Sequence, residues 1–281
     1  MTAPVTAAVV GGGTMGAGIA HVLLAAGSRV TVAEADAARA SAAREAVARS
    51  LRKAEDRGKL DATAESLLAR LSIVDTLAAL PPAAELVVEA VPEDLSLKRR
   101  VLGEVAATCA RAVLASNTSS LSITALAAGP AAERVVGMHF FNPVPVQQLV
   151  EIVTHEGLPA STLATVRGYA EALGKTVIEV RDSPGFATSR LGVAVGLEAI
   201  RMLEEGVASA ADIDAGMRLG YGWPMGPLRL TDLVGLDVRL SIAEHLAREL
   251  GDRFTPPDLL RNKVARGELG RKTGQGFFTW S

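Results

Sequence analysis

Short β-branched apolar runs alternate with alanine- and leucine-rich stretches through the first two-thirds of the chain. Residues 5–10, 30–33, 86–91, 113–116, 135–139, 149–153 and 176–180 read as strands, and several of the stretches between them read as helices. That alternation predicts a mainly parallel, doubly wound α/β sheet. Between the second and third of these strands, residues 38–71 are too long for a simple crossover and read as two helices. From Ser183 onward the strand signal stops. Residues 185–206 read as one long helix, Ser209-Ala210-Ala211-Asp212 as a helix start, and residues 226–250 and 256–267 as further helices. Arg181-Asp182-Ser183-Pro184-Gly185 carries the punctuation of a boundary. The expected organisation is therefore a sheet domain over residues 1–182 and a smaller, all-helical domain over 183–281, with no internal repeat.

The first strand runs into Val9-Val10-Gly11-Gly12-Gly13-Thr14-Met15-Gly16 and then into a helical stretch. This is a G-x-G-x-x-G loop between a strand and a helix, the context the motif requires. Gly11 permits the tight turn, Gly13 lets backbone approach a pyrophosphate, and Gly16 lets helix and strand pack closely. The helix expected over residues 17–26 offers free N–H groups at its start to phosphates, with Thr14 and Met15 of the loop beside them as further cofactor contacts. Glu34 ends the second strand, where a carboxylate accepts hydrogen bonds from ribose hydroxyls and repels a 2′-phosphate. The expectation is a Rossmann-type domain that binds NAD rather than NADP.

A second group lies in Gly137-Met138-His139-Phe140-Phe141-Asn142-Pro143-Val144-Pro145, followed by Glu151. A histidine ends one apolar run, a proline-bearing turn follows, and the next apolar run carries a carboxylate. That order suits a general base and a partner that orients it. Ser116-Asn117-Thr118-Ser119-Ser120 follows another strand, and Glu93 and Lys98 follow the strand before that. Taken alone, these last two segments also suit a polar turn or helix cap and an ordinary helix-surface pair.

The chain resembles the L-3-hydroxyacyl-CoA dehydrogenases, and within them the short 3-hydroxybutyryl-CoA dehydrogenases. The segments that carry the resemblance run almost from end to end: 11–20, 87–97, 116–121, 138–151, 182–191, 219–235 and 269–277. The His139 block and Leu269-Gly270-Arg271-Lys272-Thr273-Gly274-Gln275-Gly276-Phe277 are particular to that family rather than to dehydrogenases at large. The resemblance implies oxidation of a 3-hydroxyacyl-CoA, 3-hydroxybutyryl-CoA in the first instance, to the 3-ketone, with hydride passed to NAD. It makes His139 the base, Glu151 its orienting carboxylate, and Ser119 the hydroxyl bonded to the substrate oxygen. It brings Asn117, Glu93 and Lys98 towards the cofactor. It implies a homodimer held by the helical domain, in β-oxidation or butyrate-type metabolism. One position departs from the family: Ser189 stands where an asparagine usually assists Ser119, which puts that residue's own role in doubt.

Residues 38–71 hold eight basic against five acidic side chains, although the whole chain has a net charge of -2. A local basic excess can hold the phosphates of CoA, and the resemblance places CoA there, with Ser50, Arg57 and Lys59 as its contacts. The rest of the composition narrows the classes. The near-neutral net charge gives no reason to expect nucleic acid as partner. No apolar run reaches membrane-spanning length and no secretory leader is seen, so a cytoplasmic enzyme without membrane contact is expected. The single Cys109 excludes an internal disulfide, and no acid or histidine cluster has metal-ligand spacing. The alternatives are the same chemistry on 3-hydroxyadipyl-CoA, oxidation of a sugar acid without CoA, and a cofactor-binding protein without catalysis.

Overall fold

The computed structural model describes residues 2–129 and 131–280, which form two compact units, residues 1–182 and 183–281. In the first unit the strands are β1 (Thr6–Val10), β2 (Arg29–Ala33), β3 (Leu71–Val74), β4 (Leu86–Glu89), β5 (Val113–Ser116), β6 (Val135–Phe140), β7 (Leu149–Thr154) and β8 (Thr176–Arg181). They make one sheet in the order β3-β2-β1-β4-β5-β6-β7-β8. Every neighbouring pair is parallel except β6 with β7. The helices of this unit are α1 (Thr14–Ala25), α2 (Ala37–Glu55), α3 (Ala64–Leu68), α4 (Leu95–Thr108), α5 (Ile123–Leu126) and α6 (Ala160–Ala172). All residues of β4, β5 and β6 are buried, as strands covered on both faces must be, which is why they read as unbroken apolar runs.

The order of the strands matters for function. Chain direction reverses its spread at β1, so β1 and β4 lie side by side at the switch point of a doubly wound sheet. Ligands bind beyond the carboxyl ends of strands at such a point, and the glycine loop, Glu34, Glu93, Asn117 and His139 all lie at or just past those ends. The sheet also holds a strand that the sequence reading missed. Residues 38–71 were expected to be helical throughout, but β3 begins at Leu71. Only four residues long, it shows no alternation to separate it from the end of a helix.

The second unit is helical: α7 (Thr188–Glu204), α8 (Ala210–Ala215), α9 (Pro227–Val234), α10 (Leu236–Leu250) and α11 (Asp258–Ala265). Val193, Leu197, Ile200, Leu228, Leu236, Leu246 and Leu260 form its core. Two boundaries correct the sequence reading. Helix α7 starts at Thr188 rather than 185, because Gly185 and Phe186 take positive φ values of 74° and 50° in a turn. The expected single helix over 226–250 is divided at Gly235, whose φ of 100° breaks the ladder between α9 and α10. Two buried carboxylates hold this unit together. Asp214 accepts the N–H groups of Leu228 and Arg229 at the start of α9. Asp232 accepts Phe277 N–H, Phe278 N–H and Trp280 Nε1–H at 2.8–2.9 Å, fastening the C-terminal segment onto α9.

Candidate active site

His139 and Glu151 face one another directly across the antiparallel β6–β7 pair. His139 Nδ1 lies 2.6 Å from Glu151 Oε2, and the carboxylate is fully buried. A carboxylate can only accept here, so the proton sits on Nδ1 and Nε2 carries the basic lone pair. The ring of Phe141 packs against the imidazole with centroids 4.4 Å apart. Two strands therefore set the position of the imidazole, the bond to Glu151 sets its tautomer, and an aromatic contact limits its rotation.

The loop after β5 meets this pair. Asn117 Oδ1 accepts the N–H of Phe140 at 2.9 Å, which ties the loop to the residue next to His139 and leaves the amide N–H₂ for another acceptor. Ser119 follows, partly buried, and its backbone N–H donates to Glu93 Oε1 at 3.0 Å. The same oxygen accepts from Thr118 Oγ1 and from the N–H and hydroxyl of Ser120. Burial works to raise the Glu93 carboxyl, but the hydrogen bond from Thr118, the Lys98 charge and the Ser119 N–H outweigh it and hold the group below its ordinary value. Asp182 fixes the far end of the segment by accepting from Ser122 Oγ and Thr124 N–H at the start of α5.

Lys98 is not the surface residue that an ordinary helix pair would make it. It is 1% exposed, and its ammonium is spent on Glu89 Oε1 at 2.8 Å, Val91 O at 3.0 Å and Glu93 Oε2 at 3.3 Å. Its link to the site runs through Glu93. Glu89 is the residue that sequence reasoning missed. Fully buried at the end of β4, it takes Lys98 and the Val91 N–H on one oxygen and the Ser116 hydroxyl on the other. A carboxylate inside the apolar run Leu86-Val87-Val88-Glu89-Ala90-Val91 was the signal for it. Such a group survives in a core only when paired and fully hydrogen-bonded.

At the glycine loop, a Cβ on Gly16 would stand 1.7 Å from Gly11 O, so no side chain fits between α1 and the loop. A Cβ on Gly13 would meet nothing within 4 Å, so that side of the backbone faces open space where a phosphate can approach. Thr14, Met15 and Gly16 open α1 with their N–H groups outside its hydrogen-bond ladder. Glu34 folds back on the loop, accepting the Gly12 N–H at 2.6 Å.

The remaining residues belong to other elements. Ser50, on α2, is bonded through its hydroxyl to His21 Nδ1 at 2.8 Å. Arg57 and Lys59 are exposed just past that helix, and Lys59 lines a depression of about 430 Å³ with His21, Val146, Gln147 and Lys175. Ser189 is the second residue of α7, in the helical unit.

Two family models cover nearly the whole chain: the NAD-binding domain of 3-hydroxyacyl-CoA dehydrogenase over residues 6–183, and the C-terminal domain of the same enzyme over 185–280. The chain belongs to the 3-hydroxyacyl-CoA dehydrogenase family. It is 42% identical to the 3-hydroxybutyryl-CoA dehydrogenase of Mycobacterium tuberculosis over 97% of each chain. It is 40% identical to the 3-hydroxyadipyl-CoA dehydrogenase of Escherichia coli K12, over 98% of this chain and 59% of that one. The crystal structure of (S)-3-hydroxybutyryl-CoA dehydrogenase from Ralstonia eutropha superposes with a TM-score of 0.93 at 40% identity, covering 99% of this chain and 100% of that one. As a member of this family the protein is an NAD-dependent oxidoreductase. The residues present fit that cofactor: an open Gly13 face, the free N–H groups that start α1, and an acid at the end of β2.

Proposed function

We propose that the protein oxidises the 3-hydroxyl of a short-chain (S)-3-hydroxyacyl-CoA to the ketone, with His139 as general base and Glu151 as the group that orients it. The observation that carries this reading is the buried 2.6 Å contact between them near the carboxyl end of β6, with Asn117 bonded to the adjacent Phe140. NAD, when bound, supplies the hydride acceptor. Nε2 of His139 takes the hydroxyl proton, and the imidazolium that forms is stabilised by Glu151, which keeps its own negative charge. The Ser119 hydroxyl donates to the substrate oxygen, where negative charge grows as the proton leaves. Asn117 turns its amide N–H₂ towards the nicotinamide side. Glu89 and Lys98 hold Glu93, and Glu93 holds the backbone of Ser119 and Ser120.

CoA is assigned to Ser50, Arg57 and Lys59. Support for this comes from the local basic excess and from the exposure of the two cations. The relatives' names bring 3-hydroxybutyryl-CoA as the reference substrate, and a cytoplasmic homodimer completes the proposal. The test is NADH consumption by the purified protein with acetoacetyl-CoA. Rapid consumption is expected, together with a fall in kcat of about 10²–10⁴-fold in His139→Gln, the range a general base contributes. Retention of full activity in that variant would remove His139 as the base.

A further inference from the structure

The sheet unit buries two lysines, Lys98 and Lys175. Lys98 is neutralised by Glu89 and Glu93. Lys175 is held differently. It stands just before β8, is 8% exposed, and gives its ammonium to two neutral acceptors, Val144 O at 2.6 Å and Gln147 O at 2.8 Å. Its side-chain bonds among the described residues run to backbone oxygens only. An ammonium carries three N–H donors, so one is left over. Burial holds its pKa below the ordinary lysine value, with no anionic neighbour to oppose the shift. A buried cation among neutral groups is costly, and an anion able to reach it offsets that cost.

The depression of about 430 Å³ gives an anion that access. Lys175, Lys59 and His21 line it with Leu60, Val146 and Gln147, and among the described residues no aspartate or glutamate does. Two cations therefore share one concave surface without a compensating charge. The effect reaches His21, whose pKa is lowered first by burial and then by the Lys175 charge. Lys59 and Gln147 are exposed, so the depression is open to solvent on their side, while Lys175 is the buried member. All of these residues belong to the sheet unit.

We infer that this depression binds a phosphoryl group, with Lys175 as its buried counter-charge and Lys59 as the mobile cation at the rim. A phosphate monoester carries close to two negative charges at neutral pH and three accepting oxygens. That matches two ammonium groups better than a singly charged carboxylate does, and lysine binds phosphate as a point charge without demanding a fixed fork. Two sources can supply the group: the 3′-phosphate of CoA, or free phosphate. For the first source the inference rests on the CoA contacts proposed above, since Lys59 is shared with them. For the second it stands alone.

The test is calorimetric titration of the purified full-length protein, kept saturated with NAD so that the glycine loop offers no competing phosphate site. The probes are CoA, dephospho-CoA, which lacks only the 3′-phosphate, and inorganic phosphate. With CoA as the source, CoA should bind about 10–100-fold tighter than dephospho-CoA, the range for a charged hydrogen-bonded group, and Lys175→Met should bring the two together. With free phosphate as the source, CoA and dephospho-CoA should bind alike, while inorganic phosphate binds the native protein and not Lys175→Met. Gln147→Glu puts a negative charge on an exposed side chain of the rim and should weaken whichever binding is seen, so it decides the matter should Lys175→Met not fold. No preference for CoA together with no binding of inorganic phosphate overturns the inference. So does a preference or affinity unchanged by Lys175→Met or, where that variant does not fold, by Gln147→Glu. Failure of CoA and dephospho-CoA to bind at all, with inorganic phosphate still held through Lys175, would remove the CoA assignment and leave the inference standing.

Discussion

In the proposed mechanism a single carboxylate decides what His139 can do. Glu151, 2.6 Å from Nδ1, would leave Nε2 as the base and give the imidazole a counter-charge when it is protonated. Glu151→Gln preserves the shape and removes the charge, and its amide can donate to Nδ1 and so favour the wrong tautomer. The expected result is a fall in kcat of about 10²–10⁴-fold with little change in KM, read from steady-state NADH formation. A loss confined to KM would show that Glu151 serves binding instead. Both residues were legible as residue types in apolar runs, and their order together with the family resemblance led to the expected pairing. The contact itself depends on strand direction and register, which bring residues twelve apart face to face. Glu89 was harder still. Nothing local distinguishes a buried acid that holds Lys98 and Ser116 from an acid at the exposed end of a strand. The burial of Lys98 was hidden for the same reason, since its partner Glu89 had not been recognised.

At the scale of elements, seven of the strands could be read, β4, β5 and β6 most plainly because strands buried on both faces are continuous apolar runs. The eighth, β3, is four residues long and joins the sheet only through β2. Sheet pairing, not composition, makes it a strand. The division of α9 from α10 was hidden because apolar positions continue across Gly235, from Leu228 to Leu236 and Leu246. The backbone there has φ of 100°, and a Cβ would come within 3.0 Å of Asp237 Oδ1. Gly235→Ala is therefore expected to cost roughly 1–3 kcal/mol, measured as a lower denaturation midpoint. A midpoint equal to that of the native protein would mean that the chain can continue as one helix through this point. Asp237 also holds Lys272 through both carboxylate oxygens, at 2.6 Å each, so a displaced turn would disturb that pair as well.

At the scale of the whole molecule, stability carries a mark of acidity away from the dyad. His21 on α1 is 3% exposed and bonded to Ser50 on α2, joining the first two helices of the sheet unit. Burial, aided by the nearby Lys175 charge, lowers its pKa from 6.5 to about 4. The folded protein thus binds fewer protons than the unfolded chain between those values, and stability falls as pH drops from about 6.5 towards 4. The full difference amounts to about 3 kcal/mol. Urea denaturation across this window should show His21→Gln losing less stability on acidification than the native protein. Parallel curves for the two would mean that His21 takes up its proton without opening the helix pair. If Ser50 does meet CoA, the same acidification should weaken acyl-CoA binding by loosening its support.

The facing of His139 and Glu151 across β6 and β7 bears on what kinds of mutation this lineage can accumulate. Because neighbouring residues of a strand point to opposite faces, the proposed catalytic pair is written in the phase of β7. Residues 141–148 can gain or lose length so long as both strands keep that phase. A single codon deleted between Leu149 and Glu151 would turn the carboxylate to the opposite face of the sheet and end activity in one step. The enzyme is thus open to experiment in the turn and intolerant of frame shifts in the strand, and new relatives should differ in the length of the first long before that of the second.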